Sequence, residues 1–209
     1  MTNSLPGITL DPANYYYALK QQCTIQHLLW QYVQSVDDWL GVDWHTFYLN
    51  IPTGPARDQF RADPVIAWFL DQGWGLNFTV MPPKSHYRWH IDNNGNRQTA
   101  INLVLNEHDT CKTIWRAPGP WVRRFNTEII DLDYKPLTYY LFNTQEEHCV
   151  YNFGHVNRYL LTLTPAQRFA VPEYNEGRYT ANPLRYQEIL RGYKLAYGQV
   201  LAEIKDHGW

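Results

Sequence analysis

Three cysteines, two methionines and almost no net charge are what this chain offers where other proteins carry obvious signatures. Cys23, Cys111 and Cys149 are odd in number and far apart, which fits neither a disulfide framework nor a paired zinc motif. They are expected as reduced packing residues. A formal net charge of -2 gives no global attraction to nucleic acid or to an anionic membrane surface. No apolar stretch is long enough to span a bilayer, and the opening residues lack the basic start and apolar run of a secretory signal. The expectation is a cytoplasmic protein with neither membrane nor nucleic acid as partner. Internal repeats, low-complexity tracts, phosphate-cradling glycine loops and Ser or Cys nucleophile constellations are also missing.

What is present is a chain of 209 residues, 44% hydrophobic, enough for one well-buried core and short for two. One domain over 1–209 is expected, with a mixed helical part at 1–74, a β core at 75–165 and a helical extension at 166–209. Nine Trp and sixteen Tyr are many for this length. Such rings bury large apolar area in a core or line a ligand groove.

Residues 24–40 place Ile25, Leu28, Leu29, Tyr32, Val33, Val36 and Leu40 at the three-and-four spacing of an amphipathic helix. A strand is expected around Trp44–Ile51, and then a helix in which Asp63 caps, Pro64 suits the first turn and Gly73 the stop. From Gly75 the texture changes to short runs rich in Val, Ile, Thr, Tyr and Phe, separated by Pro, Asn, Gly and Asp. Strands are read at 75–81, 86–92, 99–105, 111–116, 127–132, 137–142, 147–152 and 158–164. Short strands in uninterrupted series predict a mainly β jelly roll with flanking helices. Helical spacing returns over 183–206, with Gly192 and Gly198 as places for a break.

The segment HYRWHID ends in His90 and Asp92, two residues that share one face of a strand. His148 opens a later strand. Two imidazoles and one carboxylate make a facial triad suited to non-haem Fe(II), with coordination positions left open for other ligands. Arg158 stands ten residues after His148. The intervening CVYNFGHVN reads as the rest of a strand and a tight turn, so the next strand should return antiparallel beside His148. Arg158 would point inward with Leu160 and Thr162. A guanidinium inside a barrel is costly to bury without an anion, and the far carboxylate of 2-oxoglutarate is a suitable one, held bidentately. Each short match is common by chance; their order and their position at strand ends give them weight.

At MPPKSHYRWHID, RQTAINLVL and HCVYNFGHVNRYLLTL the chain resembles the Fe(II)- and 2-oxoglutarate-dependent oxygenase superfamily, and more loosely its aspartyl/asparaginyl and prolyl hydroxylase-like branches. The resemblance covers about residues 75–165. It implies a double-stranded β-helix, the jelly roll that cupins also have. It implies Fe(II), O2 and 2-oxoglutarate as cosubstrate, a small-molecule or peptide substrate, and hydroxylation of an unactivated C–H bond of an amino-acid or peptide side chain, with release of succinate and CO2. His90, Asp92 and His148 then take the metal, and Arg158 the cosubstrate.

Other residues are weighed beside these. In similar enzymes a polar side chain near Arg97 or Asn102 touches the cosubstrate; the alternatives are a solvated loop arginine and an asparagine satisfying a strand end. Tyr139 is a candidate hydroxyl donor, with core packing as the alternative. Tyr87 has the wrong parity to share a face with His90. His155 competes with His148 but sits in a turn, and His86 with His90 lacks the glutamate of a zinc peptidase motif. Two rival readings remain: a cupin-like metal enzyme that does not use 2-oxoglutarate, and a non-catalytic jelly-roll binding or structural protein.

Overall fold

A computed structural model of the chain describes residues 11–37, 39–43, 46–51, 54–92, 99–106, 110–116, 129–165 and 196–209. Arg97, the C-terminal residues 183–195 and Gly192 lie outside them. Among the described residues eleven strands form two antiparallel sheets. They are β1 (Tyr16–Gln22), β2 (Leu40–Asp43), β3 (Thr46–Ile51), β4 (Gly75–Met81), β5 (Ser85–His90), β6 (Ala100–Val104), β7 (Cys111–Arg116), β8 (Ile129–Asp133), β9 (Thr138–Phe142), β10 (His148–Asn152) and β11 (Arg158–Thr164). The larger sheet runs β1-β9-β6-β11-β4-β3-β2 and the smaller β5-β10-β7-β8.

All eight strands expected beyond Gly75 are present, and they alone build the jelly roll. From β4 to β11 the chain changes sheets at every step but one, β7 to β8, which stay side by side in the smaller sheet. This corrects one expectation. β11 does not return beside β10: it pairs with β4 and β6 in the other sheet, while β10 lies between β5 and β7. His148 and Arg158 therefore face each other across the barrel and are not hairpin neighbours. The last crossover is held by Asn152, whose Nδ2 donates to the carbonyls of Met81 (3.0 Å), Pro82 (3.0 Å) and Val156 (2.9 Å). Its Oδ1 accepts from the Gly154 N–H at 3.0 Å. A Cβ at Gly154 would come within 2.6 Å of Thr110 Oγ1, so any larger residue there would have to displace the Thr110 side chain.

Among the described residues three α-helices precede β4: α1 (Gln26–Gln34), α2 (Pro55–Phe60) and α3 (Pro64–Asp71). A fourth, α4, is seen over 196–206 and runs through Gly198 without a break. The helix expected at 24–40 stops early, where Ser35 Oγ donates to the Tyr32 carbonyl at 2.8 Å. Leu40 is taken into β2 opposite Tyr48, a case of sheet pairing overriding helical spacing. α3 starts and stops as its sequence implies: Asp63 accepts from the N–H groups of Val65 and Ile66, and Gly73 adopts φ 79°.

β6 and β9 are covered on both faces, which explains their unbroken apolar runs. On one face Leu76, Phe78, Ile101, Leu103, Leu161 and Leu163 pack against Leu29, Val33, Ile66, Phe69, Val200 and Ile204 of the helices. Burying each such side chain contributes about 1.5–3 kcal/mol. Between the sheets a second cluster gathers Val104, Trp115, Ile130, Leu132, Tyr134, Tyr140 and Phe142. The three cysteines are buried and free of disulfides. No helix among the described residues is long and apolar enough to cross a membrane.

Candidate metal and cosubstrate site

His90, at the end of β5, and His148, at the start of β10, are paired residues of adjacent strands, with ring centroids 4.2 Å apart. Asp92 lies just past β5, its Oδ1 3.3 Å from His90 Nε2. One ligand-capable atom from each of the three falls within 4.8 Å of the other two. The same backbone device orients both rings. His90 Nδ1 lies 2.7 Å from the Arg88 carbonyl and His148 Nδ1 lies 2.9 Å from the Glu146 carbonyl. A carbonyl can only accept, so Nδ1 is the donor in each of these contacts and Nε2 is the ring nitrogen left to face an ion. The turn after β9 grips both halves. The Asp92 N–H donates to the Thr144 carbonyl at 3.0 Å, Gln145 Nε2 donates to the Asp92 carbonyl at 2.6 Å, and the next residue, Glu146, holds His148.

These residues open into a cavity of about 120 Å³ between the sheets. Arg158 enters from β11 on the opposite wall and is 4% exposed. Its Nη2 donates to the Tyr134 hydroxyl at 2.8 Å, and its guanidinium carbon sits 5.0 Å from that ring's centroid. Tyr134 and Thr113 share a hydroxyl–hydroxyl bond of 2.6 Å. Burial pushes the Tyr134 phenol above its ordinary range, opposed by the neighbouring Arg158 charge. Arg158 Nε is buried with no hydrogen-bond partner, and among the described residues no carboxylate pairs with the guanidinium. A buried cation with an unused donor beside three metal-capable groups is the arrangement a small dicarboxylate chelator needs. Met81, Phe142, Val150 and Leu160 supply apolar wall.

Asn102 also lines the cavity, 4% exposed, its Oδ1 accepting from Thr162 Oγ1 at 2.8 Å. Tyr139 does not. Strand alternation turns it to the helical side, where it packs with the α1 and α3 residues, and its neighbour Tyr140 faces the barrel interior. His155 is exposed in the β10–β11 crossover, and His86 lies on the outer face against Tyr151.

Two lining residues escape simple sequence reasoning. Tyr87 faces the cavity despite its parity, because His148 pairs with His90 while Val150 pairs with Tyr87, two steps along β10 against three along β5. That bulge resets the alternation. Tyr134 sits just after β8, where no strand periodicity applies; the only signal was a tyrosine in a turn.

No protein-family sequence model matches the chain, and no curated protein matches it. Solved structures do. A Pseudomonas putida prolyl-4-hydroxylase superposes with a TM-score of 0.51 at 18% identity, over 74% of this chain and 93% of that one. The non-heme alpha ketoglutarate dependent epimerase SnoN from nogalamycin biosynthesis gives 0.50 at 10% identity, over 71% and 75%. HygX from Streptomyces hygroscopicus, solved with nickel and 2-oxoglutarate bound, gives 0.50 at 10% identity, over 66% and 76%. At such identities the likeness is one of fold: this chain is a double-stranded β-helix of the kind these proteins share.

Proposed function

We propose that the chain is a single-domain Fe(II)- and 2-oxoglutarate-dependent dioxygenase that hydroxylates an unactivated C–H bond, in an amino-acid or peptide side chain. The observation that carries this reading is Arg158, a buried cation with an unpartnered Nε in the same cavity as His90, Asp92 and His148. A metal site alone would fit many cupin-like enzymes. An unpaired guanidinium across the barrel adds a requirement for an anion.

His90 and His148, through Nε2, and Asp92, through a carboxylate oxygen, would hold the iron. That donor set suits Fe(II) and leaves coordination positions for cosubstrate and dioxygen. When bound, the iron supplies dioxygen activation coupled to oxidative decarboxylation of 2-oxoglutarate to succinate and CO2. Arg158 binds the far carboxylate and Tyr134 presents the guanidinium, fixing the cosubstrate's orientation. Thr162 occupies the Asn102 carbonyl, leaving the amide NH2 as a second donor. The apolar wall keeps water from the reacting groups. The amino-acid or peptide substrate follows from the hydroxylase resemblance and from the prolyl-4-hydroxylase among the solved structures of this fold.

Anaerobic titration with Fe(II) and 2-oxoglutarate is the direct test. A weak metal-to-ligand absorption should develop and disappear in His148→Ala. Succinate release and a mass shift across a panel of amino acids and peptides identify the substrate. No metal uptake and no band would sink the reading. Activity of Arg158→Ala independent of 2-oxoglutarate would favour the cupin-like enzyme.

A further inference from the structure

Behind the metal-facing histidine, aromatic rings form a path to the surface that hydroxylation does not use. Trp115, fully buried, stands opposite His148 in strand register, with ring centroids 6.3 Å apart. It stacks on Tyr16 at 5.6 Å with planes 27° apart. A second branch leaves the cavity at Tyr134, 5.5 Å from Tyr140, which is 6.2 Å from Tyr16. Both branches end on Tyr16, half-buried on the edge strand β1.

Indole and phenol are among the most easily oxidised side chains, and rings in contact pass an electron in short steps. Where the oxidation comes to rest depends on where a proton can go. Trp115 Nε1–H faces only the Asn143 carbonyl, at 3.4 Å. The Tyr134 hydroxyl faces the Arg158 guanidinium and Thr113, and the Tyr140 hydroxyl accepts from the Lys135 N–H at 2.9 Å. None of these partners is a base. Tyr16 alone among the four rings is partly open to solvent, so its phenolic proton can leave to water; the Asp131 and Asp133 charges, which act on that phenol through space, are held by Lys112 Nζ at 2.7 and 2.6 Å.

We infer that Trp115 and Tyr16 form a relay that drains oxidising equivalents from the metal site to the surface when dioxygen is activated without a substrate. The inference rests on the oxygenase reading above. The oxidised iron site takes one electron from Trp115, and Trp115 takes one from Tyr16. The Tyr16 phenolic proton passes to water. A soluble thiol or ascorbate then returns one electron and one proton to the Tyr16 radical. Two such passages, with two protons taken up at the metal site from solvent, would return it to Fe(II) and release the oxygen atom as water, and the relay spares the cavity-lining residues from self-oxidation. Tyr87, 4.3 Å from His90, is the competing resting place.

The test uses the full chain loaded anaerobically with Fe(II) and 2-oxoglutarate, mixed with dioxygen in the absence of substrate and freeze-quenched for electron paramagnetic resonance. Succinate is measured in the same samples. A tyrosyl radical is expected in the natural protein, lost in Tyr16→Phe and in Trp115→Phe, and restored in Trp115→Tyr. The two Trp115 variants both lose packing volume and differ in whether the ring can be oxidised, so misfolding does not mimic the result. Peptide mapping should place accumulated tyrosine oxidation at Tyr16. Succinate with a radical unchanged in Tyr16→Phe, or oxidation confined to Tyr87 or Tyr134, would overturn the relay alone. No succinate from the natural protein would overturn the oxygenase reading and the relay with it.

Discussion

Tyr87 and His90 meet edge to face, ring centroids 4.3 Å apart and planes at 83°, although three positions separate them along one strand. A regular strand would put them on opposite faces; the bulge against β10 brings them together. The tyrosine ring thereby braces a proposed metal ligand. Tyr87→Ala is expected to weaken Fe(II) binding by about tenfold, the lower end of what groups orienting a ligand contribute, with Tyr87→Phe close to the natural protein. Competition against a calibrated chelator measures both. Equal losses in the two variants would assign the effect to the hydroxyl.

Arg158 and Tyr134 separate charge from orientation. Arg158→Ala removes the cation from a buried site and is expected to weaken 2-oxoglutarate binding by at least about 100-fold, as truncation of one partner in a buried charged pair does. Tyr134→Phe removes one hydrogen bond to the guanidinium and should raise the 2-oxoglutarate KM by up to about tenfold. Fe(II) affinity measured without cosubstrate should stay unchanged in both. A drop in that affinity would mean that the cavity had collapsed.

Burial pushes the thiols of Cys23 and Cys149 up from 9.0 to about 11. A raised thiol pKa favours the protonated form in the folded state, so this stabilisation is complete below pH 9 and is lost as pH rises toward 11. Stability by urea unfolding should therefore decline above about pH 9. Cys149→Ala and Cys23→Ala should each flatten that decline. Neutral-pH alkylation of the native protein should be slow, since neither thiol is exposed or ionised.

Asp63 ties the N-terminal helices together. Its carboxylate, wholly buried, accepts from Val65 N–H and Ile66 N–H at the start of α3 and from both Thr24 N–H (2.8 Å) and Thr24 Oγ1 (3.0 Å) before α1. Losing a cap costs about 0.5–2 kcal/mol, and buried donors left without a partner cost about 1–3 kcal/mol more. Asp63→Ala is expected to lose about 3 kcal/mol in chemical denaturation while the folded fraction keeps its Fe(II) affinity. A loss of metal binding in the folded fraction would show that α3 supports the barrel interior directly.

The strands from Gly75 onward were legible because each is short, β-branched and bounded by turn residues. Their assignment to sheets was not. The link between Asn152 and Arg158 is compatible with a hairpin, and only contacts distant in sequence send β11 to pair with β4 and β6. Tyr139 and Tyr140 show a related limit. Both are buried in a strand covered on two sides, so burial patterning cannot tell which faces the cavity. β1 was unread because Tyr16–Gln22 is a polar edge strand whose pairing with β9 lies far along the chain. Residue chemistry singled out His90, Asp92, His148 and Arg158, which the fold brings to one cavity; Tyr87 needed a bulge and Tyr134 a turn that spacing does not encode.

The Asn152 knot, with the close-packed Gly154 beside it, joins the sheet that carries the histidines to the sheet that carries the guanidinium. It works as a gauge block. The span from His148 to Arg158 is built into the chain before any ligand arrives, so on the proposed reading the barrel would measure a dicarboxylate by length as well as by charge.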